Sequence, residues 1–310
     1  MRFEDRVAIV TGGGSGLGRI LAHSFAAEGA AVVVADIARG RAGAVAEEIF
    51  DAGGDSLAQT TDVTDASDVR AMVEATREAF GQVDILVNNA AKATDEDFLS
   101  LGGETWDEDV TVTLKGTFLC SQTVLVDMVE NGSGVILNIS SVNALGYYGN
   151  EAYSAAKAGI LNLTRSLAVR YGPSGIRVNA IAPGTLRTPA WEQRREKNPD
   201  VFERITRWYP LGRVGEPEDV AGAALFLASD EADWITASRL DLDLDAYQAL
   251  IPDSSRLGLV LRPMPPDCRS ADNLAQKVAL AGERGLGRLD FYHYGFCRLD
   301  ALDWIHHALA

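Results

Sequence analysis

Short apolar segments alternate along the chain with longer segments whose apolar residues recur at helical spacing. Strands are predicted at Val7–Val10, Ala31–Ala35, Ser56–Thr60, Ile85–Val87, Val135–Ile139 and Val178–Ile181. The spacing between them predicts helices that include Leu17–Glu28, a segment around Ala42–Phe50, and Ala152–Tyr171. Continuous β-branched runs between helices are typical of parallel strands covered on both faces. The pattern therefore predicts an α/β fold with a doubly wound parallel sheet.

The pattern changes beyond Thr236. The segment SRLDLDLDAY alternates leucine with aspartate, which predicts a half-buried edge strand with Leu240, Leu242 and Leu244 facing inward. After a proline-rich turn the spacing predicts a β-α-β-α appendage, with segments at Leu257–Arg262, Asn273–Glu283, Leu289–Tyr294 and Leu299–Leu309. We therefore predict a dinucleotide-binding and catalytic domain over residues 1–247 and an appendage of unknown role over residues 248–310. The appendage alone would bury too little surface to be stable.

The aspartates of this predicted edge strand, Asp241, Asp243 and Asp245, fall on one face. One interpretation is a metal cluster, and the other is a solvated strand face. The second needs no ligand, and we expect no metal site.

Composition and charge narrow the classes of partner. The chain has 310 residues, of which 47% are hydrophobic and 23% charged, as in globular proteins, and its formal net charge is −16. This charge argues against nucleic acid or an anionic membrane as a partner.

No segment reaches the roughly 18 apolar residues that span a bilayer. The acidic start MRFEDRVAIV enters a strand directly, so we expect no signal or transit peptide. Three widely spaced cysteines, Cys120, Cys268 and Cys297, suit a reducing compartment, and we expect a cytoplasmic location.

The first strand is followed by the glycine-rich turn TGGGSGLG, Thr11 to Gly18, and then by a predicted helix. Such a turn lets the backbone approach a pyrophosphate at a helix N-terminus, although glycine-rich turns also serve packing alone. The second strand ends at Asp36, an acid that can accept both adenosine ribose hydroxyls and would repel a 2′-phosphate. Arg39 and Arg41 could hold a 2′-phosphate instead, but they follow the acid without replacing it. We expect NAD as the cofactor, with NADP as the alternative.

The segment YSAAK places Tyr153 and Lys157 four residues apart on one face of a predicted helix. A neighbouring ammonium favours phenolate over phenol, so we expect Lys157 to lower the pKa of Tyr153 from about 10 toward neutrality. A general acid or base works best with a pKa near the working pH. Ser140 or Ser141, at the end of an earlier strand, could hydrogen-bond the same substrate oxygen. The alternative is that the Tyr–Lys pair is incidental.

Several ordered motifs resemble one family. They are TGxxxGxG at Thr11, Gly12, Gly16 and Gly18; an acid at Asp62; NNAG as Asn88-Asn89-Ala90-Ala91; YxxxK at Tyr153 and Lys157; PGxxxT at Pro183, Gly184 and Thr188; and PLGRVGEPEDVA from Pro210 to Ala221. Over Met1 to about Thr236 the chain resembles the short-chain dehydrogenases/reductases. The resemblance implies a Rossmann-type fold and an NAD(H)-dependent enzyme that interconverts a secondary alcohol and a ketone.

The resemblance also implies roles for individual residues. Tyr153 would be the general acid/base, and Lys157 would bind the nicotinamide ribose and lower the pKa of the tyrosine. Ser141 would orient the substrate oxygen, with Ser140 as second choice. The implied cofactor-binding residues are Gly12, Ser15, Gly16, Leu17, Gly18, Asp36, Asp62, Val63, Asn89, Ala90, Tyr153, Lys157, Pro183, Gly184, Leu186 and Thr188.

Two features depart from the family pattern. Thr113 stands where the family has an asparagine that completes a proton relay to solvent, and we expect a slower or re-routed proton path. The residues Asp243-Leu244-Asp245 replace the usual Asp-Gly-Gly at the end of the last strand. These departures leave a second interpretation open, a cofactor-binding protein with little or no turnover.

The residues expected on the substrate side of the site do not identify the substrate. The segment Pro189–Tyr209 lies where the family has a mobile lid, and its arginines, Arg194, Arg195, Arg204 and Arg207, fit either an anionic substrate or a solvated helix face. Asn143, Leu145, Tyr147 and Tyr148 follow the serines and are expected to line the pocket. Small residues on the helix after Tyr153 permit close approach of another helix, which in this family lies at a subunit interface. We expect a homodimer or homotetramer.

Overall fold

The computed structural model describes residues 1–146, 148–191, 196, 198–207, 209 and 211–237, together with the backbone of strands at 239–241, 258–261 and 288–291. Contacts divide the chain into two units, Met1–Leu244 and Asp245–Ala310. Each unit is described by itself below.

The first unit is built on a seven-stranded sheet in the order β3-β2-β1-β4-β5-β6-β7, and every neighbouring pair is parallel. The strands are β1 Val7–Thr11, β2 Ala31–Asp36, β3 Ser56–Thr60, β4 Ile85–Asn88, β5 Gly134–Ile139, β6 Ile176–Ala182 and β7 Arg239–Asp241. The predicted doubly wound parallel sheet is confirmed. The order reverses between β1 and β4, which creates a crevice at the carboxyl ends of the central strands.

Helices connect the strands. They are α1 Gly16–Ala27, α2 Arg39–Asp51, α3 Ala66–Phe80, α4 Gly103–Val110, α5 Gly116–Asn131, α6 Glu151–Tyr171, α7 Val201–Thr206 and α8 Pro217–Ala228. A π-helical turn, Thr111–Lys115, joins α4 to α5 without a break. Turns of this kind inside helices are rare and occur often at functional sites.

Both faces of the sheet are covered. On one face Val10 of β1 belongs to a core with Leu21 and Phe25 of α1. On the other face its neighbour Ile9 belongs to a core with Met72 of α3 and Val124 of α5. Alternate side chains of one strand thus enter different cores, which explains why the strands read as continuous apolar runs.

Within the second unit the structure describes two strands, β8 Gly258–Leu261 and β9 Arg288–Phe291, which pair in parallel. They overlap the two strands predicted there. The helices predicted at Asn273–Glu283 and Leu299–Leu309 lie outside the described residues, as do Leu242, Leu244, Asp243 and Asp245. Among the residues that the structure does describe, no cluster of three or more His, Cys, Asp or Glu could hold a metal. No helix in that part of the chain is long and apolar enough to cross a membrane.

Candidate active site

The predicted site residues come from distant parts of the chain and follow the carboxyl ends of parallel strands. The glycine-rich turn follows β1, Asp36 ends β2, and Asn89 follows β4. Ser140 and Ser141 follow β5, and Pro183 follows β6. Because parallel strands end at the same edge of a sheet, the fold gathers these groups along one crevice, where ligands bind in open α/β sheets.

The glycine-rich turn is packed so closely that it has no room for side chains at two positions. A Cβ on Gly18 would lie 2.0 Å from the Gly12 carbonyl oxygen, and Gly12 itself has a φ of +62°. The Asn89 side chain donates to the carbonyls of Thr11 (2.9 Å) and Gly12 (3.2 Å) and braces the turn from the neighbouring strand. Ser15, the N-cap of α1, is exposed and makes no side-chain capping bond. The turn therefore presents the backbone of a helix N-terminus, the arrangement that binds phosphate.

The Thr11 side chain links the first strand to the loop after β4. Its Oγ1 accepts hydrogen bonds from the backbone N–H groups of Asn89 (3.0 Å) and Ala90 (3.1 Å). The predicted cofactor residues Asn89 and Ala90 are thereby held against the glycine-rich turn.

Asp36 is buried, with 5% of its surface exposed, and both oxygens of its carboxylate accept hydrogen bonds. It accepts hydrogen bonds from the Gly14 N–H (3.1 Å), the Ala38 N–H (2.9 Å) and Arg41 (3.1 Å). The acid is therefore fixed against the glycine-rich turn, and Arg41 is its ion-pair partner.

Asp62 and Val63 lie after β3 and follow Thr61, whose N–H donates to the Asp36 carbonyl (3.0 Å). The Asp62 carboxylate accepts from the Thr64 N–H (2.8 Å) and the Thr64 hydroxyl (2.7 Å). Val63 is buried, and a Cβ on Gly116 at the start of α5 would lie 2.7 Å from it. The glycine lets α5 approach this wall of the crevice.

Tyr153 and Lys157 lie one turn apart on α6, and the lysine nitrogen is 5.4 Å from the centre of the tyrosine ring. Lys157 is buried, with 2% of its surface exposed, and its ammonium donates to the Ile139 carbonyl at the end of β5. Burial lowers the pKa of Lys157 to about 7. The helical spacing and the strand end together place the pair in the crevice.

The pKa of Tyr153 moves in the direction opposite to the one predicted. Burial raises it, and a hydrogen bond with Ser141 acts in the other direction. The prediction treated the lysine as a permanent positive charge, whereas desolvation disfavours the charged forms of both side chains.

The two serines differ in what they touch. The Ser140 hydroxyl donates to the Lys157 carbonyl (3.0 Å) and ties β5 to α6. The Ser141 hydroxyl is the one that hydrogen-bonds Tyr153. Its place beside the phenol supports Ser141 over Ser140 as the substrate-orienting serine.

Thr113 lies in the π-helical turn and is fully buried. Its hydroxyl donates to the Lys92 carbonyl and accepts from the Lys92 N–H, both at 3.1 Å. Since its only proton is committed to that carbonyl, the hydroxyl cannot at the same time donate to a relay water. Thr113 therefore braces the loop after β4.

The loop after β6 closes the crevice. The Pro183 carbonyl accepts from the Val142 N–H (3.1 Å), and Gly184 follows it. Leu186 forms an isolated bridge with Gly215, and a Cβ on Gly16 would lie 3.8 Å from Cβ of Thr188. The glycine-rich turn and the loop after β6 thus face each other, with Leu17 of α1 packed against the core beneath.

The predicted lid is described in part. Arg187 pairs with Glu216 (3.0 Å) and lies over the ring of Phe202 on α7, 4.9 Å from its centre. Tyr147, Arg194, Arg195 and Trp208 lie outside the described residues.

Asn88 and Asn138 belong to a buried polar network that the sequence did not predict. The buried Asn88 side chain donates to Ser121 (3.0 Å) and to Asn138 (2.9 Å), whose own amide donates to Thr164 of α6 (2.9 Å). This chain of bonds joins β4 and β5 to α5 and α6. Asn88 begins the segment NNAA and Asn138 begins the segment NISS, which is a weak signal for such a network, whereas the Ile139 carbonyl that binds Lys157 offered none.

A family model described as enoyl-(acyl carrier protein) reductase matches residues 12–244. The chain belongs to the short-chain dehydrogenase/reductase family. It is an oxidoreductase of that family, whose members use nicotinamide cofactors and bind small-molecule substrates.

Individual relatives resemble the chain over most of their length. An uncharacterized oxidoreductase of Schizosaccharomyces pombe is 44% identical over 244 residues, covering 78% of this chain and 91% of the relative. The cis-4-hydroxycyclohexanecarboxylate dehydrogenase of Sinomonas cyclohexanicum is 43% identical over 243 residues, covering 78% and 96%. A solved structure of 7α-hydroxysteroid dehydrogenase complexed with NADH and 7-oxo glycochenodeoxycholic acid superposes with a TM-score of 0.75 at 35% identity, covering 78% and 94%.

The residues of this crevice fit a nicotinamide dinucleotide. The closely packed glycines at Gly12 and Gly18 and the helix N-terminus behind them suit a pyrophosphate, and the fixed Asp36 carboxylate suits ribose hydroxyls. Thr188, facing Gly16, is in reach of the same turn.

Proposed function

We propose that the chain is an NAD(H)-dependent oxidoreductase that interconverts a secondary alcohol and a ketone, with Tyr153 as general acid/base. The observation that carries the proposal is the assembly of Ser141, Tyr153 and Lys157 on one crevice with the glycine-rich turn. The relatives that act on a hydroxycyclohexanecarboxylate and a hydroxysteroid support the class of substrate.

The proposed mechanism assigns one task to each side chain. A nicotinamide cofactor, held by the glycine-rich turn and Asp36, would supply hydride transfer at the substrate carbon. Tyr153 gives its phenolic proton to the carbonyl oxygen during reduction and removes the hydroxyl proton during oxidation. Ser141 donates a hydrogen bond to the same oxygen and orients it. Lys157, whose pKa is about 7, can take up a proton and release it within the buried site.

NAD is proposed over NADP on the geometry of Asp36. Its carboxylate is buried at the glycine-rich turn, where its negative charge would repel a 2′-phosphate. Arg41, the neighbouring guanidinium, is already paired with Asp36. A phosphate would have to displace that carboxylate to gain the arginine.

We also propose a homo-oligomer, on the grounds of exposed apolar residues on α5 and α6. Val126 is 67% exposed and Val169 is 62% exposed, and Phe118 of α5 is exposed as well. Burying such residues against a second copy would remove apolar surface from water. Light scattering after gel filtration measures the state, and a monomer at micromolar concentration would refute this part of the proposal.

The test of the activity compares the wild type with Tyr153→Phe. Oxidation of cis-4-hydroxycyclohexanecarboxylate, a 7α-hydroxysteroid and a linear secondary alcohol is followed by NADH absorbance, and NADH binding by fluorescence. We expect turnover of at least one cyclic alcohol by the wild type. The variant should lose turnover by at least about 100-fold while binding NADH normally, because only proton transfer is removed. NADH binding without turnover of any alcohol or ketone would favour a cofactor-binding protein instead.

A further inference from the structure

Asn143, the second residue after Ser141, makes two contacts with the Ser141 hydroxyl. Its backbone N–H donates to Ser141 Oγ at 3.2 Å, and its side-chain Oδ1 accepts the Ser141 proton at 3.2 Å. One residue thus holds the serine oxygen at two points. We call this pair of contacts the Asn143 clamp.

The orientation of the Asn143 amide is decided by its other contacts. The Nδ2 group donates to the Gly149 carbonyl at 3.0 Å and to Ser154 Oγ at 3.2 Å. A carbonyl oxygen can only accept, so the amide nitrogen must face Gly149 and the amide oxygen must face Ser141. Ser154 in turn donates to the same Gly149 carbonyl at 2.9 Å. The clamp is therefore anchored to the loop that opens α6, one residue from Tyr153.

The Ser141 hydroxyl has a single proton, and more than one acceptor competes for it. Asn143 Oδ1 accepts it in the structure, Tyr153 also hydrogen-bonds Ser141, and a substrate oxygen would need the same proton. A group that holds the serine in place and competes for its proton acts on the reaction through the serine.

We propose that Asn143 is a positioning residue that holds Ser141 Oγ beside Tyr153 and sets how much of the Ser141 proton is available to Tyr153 and the substrate. This inference rests on the proposed function of Ser141 and Tyr153. Asn143 itself need not touch the substrate.

Two substitutions of Asn143 should shift the pH profile in opposite directions. Asn143→Ala removes the competing acceptor, so Ser141 can donate fully to the Tyr153 oxygen and favours its phenolate. Asn143→Asp adds a negative charge that keeps the serine proton and disfavours a second negative charge on Tyr153. In alcohol oxidation, kcat/KM falls on the acid side of its pH profile, which we call the acid limb. The midpoint of this limb should move to lower pH by about half a unit in Asn143→Ala and to higher pH by about half to one unit in Asn143→Asp.

Turnover should also fall about tenfold in both variants, because alanine removes the side-chain contact to Ser141 and aspartate loses the bond to the Gly149 carbonyl that anchors the clamp. The KM for NAD should stay within about twofold, since the hydrogen bonds that the structure describes for Asn143 go to Ser141, Gly149 and Ser154, none of which is a proposed nucleotide-binding residue. Ser154→Ala is the matched control: it removes a bond from the same amide but leaves both contacts to Ser141. It should leave the acid limb where it is in the wild type.

The set of variants separates two kinds of failure. Tyr153→Phe and Ser141→Ala, assayed alongside, test the proposed function. If either keeps wild-type turnover, the proposed function fails. If both lose turnover while Asn143→Ala and Asn143→Asp keep the wild-type acid limb, or shift it in the same direction, the positioning role of Asn143 is wrong. Thermal unfolding establishes that each variant is folded. If Asn143→Asp does not fold, the comparison of the single variants Asn143→Ala and Ser154→Ala decides whether Asn143 positions Ser141.

Discussion

The Lys157 ammonium nitrogen lies 5.4 Å from the centre of the Tyr153 ring, and it is the lysine of this pair that is more deeply buried. Burial lowers the pKa of Lys157 to about 7, whereas an unfolded chain keeps its lysines protonated to a pH of about 10.4. The protonation state of Lys157 therefore affects both the proposed chemistry and the free energy of unfolding.

Lys157→Met should remove a pH dependence of stability. Between pH 7 and pH 10 the unfolded state holds a proton on this lysine that the folded state has released, so the free energy of unfolding of the wild type rises with pH. Relative to the variant, the rise should approach about 1.4 kcal/mol per pH unit. Urea unfolding of both proteins at pH 6, 7, 8 and 9 measures it. Parallel curves for the two proteins would show that Lys157 stays protonated in the fold.

Asp36→Asn should weaken the preference for NADH. The amide keeps the shape of the carboxylate but loses the charge that repels a 2′-phosphate, and it releases Arg41 from its ion pair. We expect the Kd for NADH to rise about tenfold and the Kd for NADPH to fall, measured by fluorescence titration with each nucleotide. The control, Asp36→Asn with Arg41→Ala, should lose the gain in NADPH affinity. A preference for NADPH in the wild type would contradict the role given to Asp36.

Gly18→Ala should disrupt the glycine-rich turn by contact alone. The added Cβ would lie 2.0 Å from the Gly12 carbonyl oxygen and 2.6 Å from the Asn89 amide nitrogen, so the backbone must move. We expect a loss of about 1–3 kcal/mol in the free energy of unfolding and at least a tenfold loss of NADH affinity. Gly43→Ala in α2 is the matched control, because its Cβ would meet nothing within 4 Å. That variant should gain up to about 1 kcal/mol from helix propensity, and equal effects in both would overturn the packing argument.

Thr113→Val should destabilise the loop after β4. Valine has the shape of threonine but cannot replace the two hydrogen bonds to the Lys92 backbone. We expect a loss of about 1–2 kcal/mol in the free energy of unfolding, measured in urea. Thr123→Val on α5 is the control, since the Thr123 hydroxyl bonds to the Leu119 carbonyl of its own helix and not to a separate loop among the described residues. Thr123→Val should lower the free energy of unfolding by less than about 0.5 kcal/mol. An equally small loss for Thr113→Val would mean that the Lys92 contacts contribute nothing to stability.

The order of the elements was determined by the sequence alone. The strand predicted at Ser56–Thr60 is β3, and the helix predicted over Ala152–Tyr171 is α6 with one residue added at its start. These predictions succeeded because strands buried on both faces and long helices leave a hydrophobic pattern within a single segment. Motifs that depend on local backbone geometry, such as the glycine-rich turn after β1, were also readable in this way.

Contacts between distant segments were decided by the tertiary structure. The partner of Thr113 is the backbone of Lys92, 21 residues earlier, and the partner of the Lys157 ammonium is the Ile139 carbonyl, 18 residues earlier. Backbone groups carry no residue-specific signal, so no motif could have named them.

The electrostatics of Tyr153 and Lys157 was likewise decided by the tertiary structure. From the sequence, Tyr153 and Lys157 are two titratable groups one helical turn apart, and proximity predicts that the lysine lowers the pKa of the tyrosine. In the fold the pKa of Tyr153 is raised and that of Lys157 is lowered. The spacing of the pair along α6 belongs to the sequence, but its desolvation comes from the strands and helices packed around it, and desolvation opposes charge on both groups.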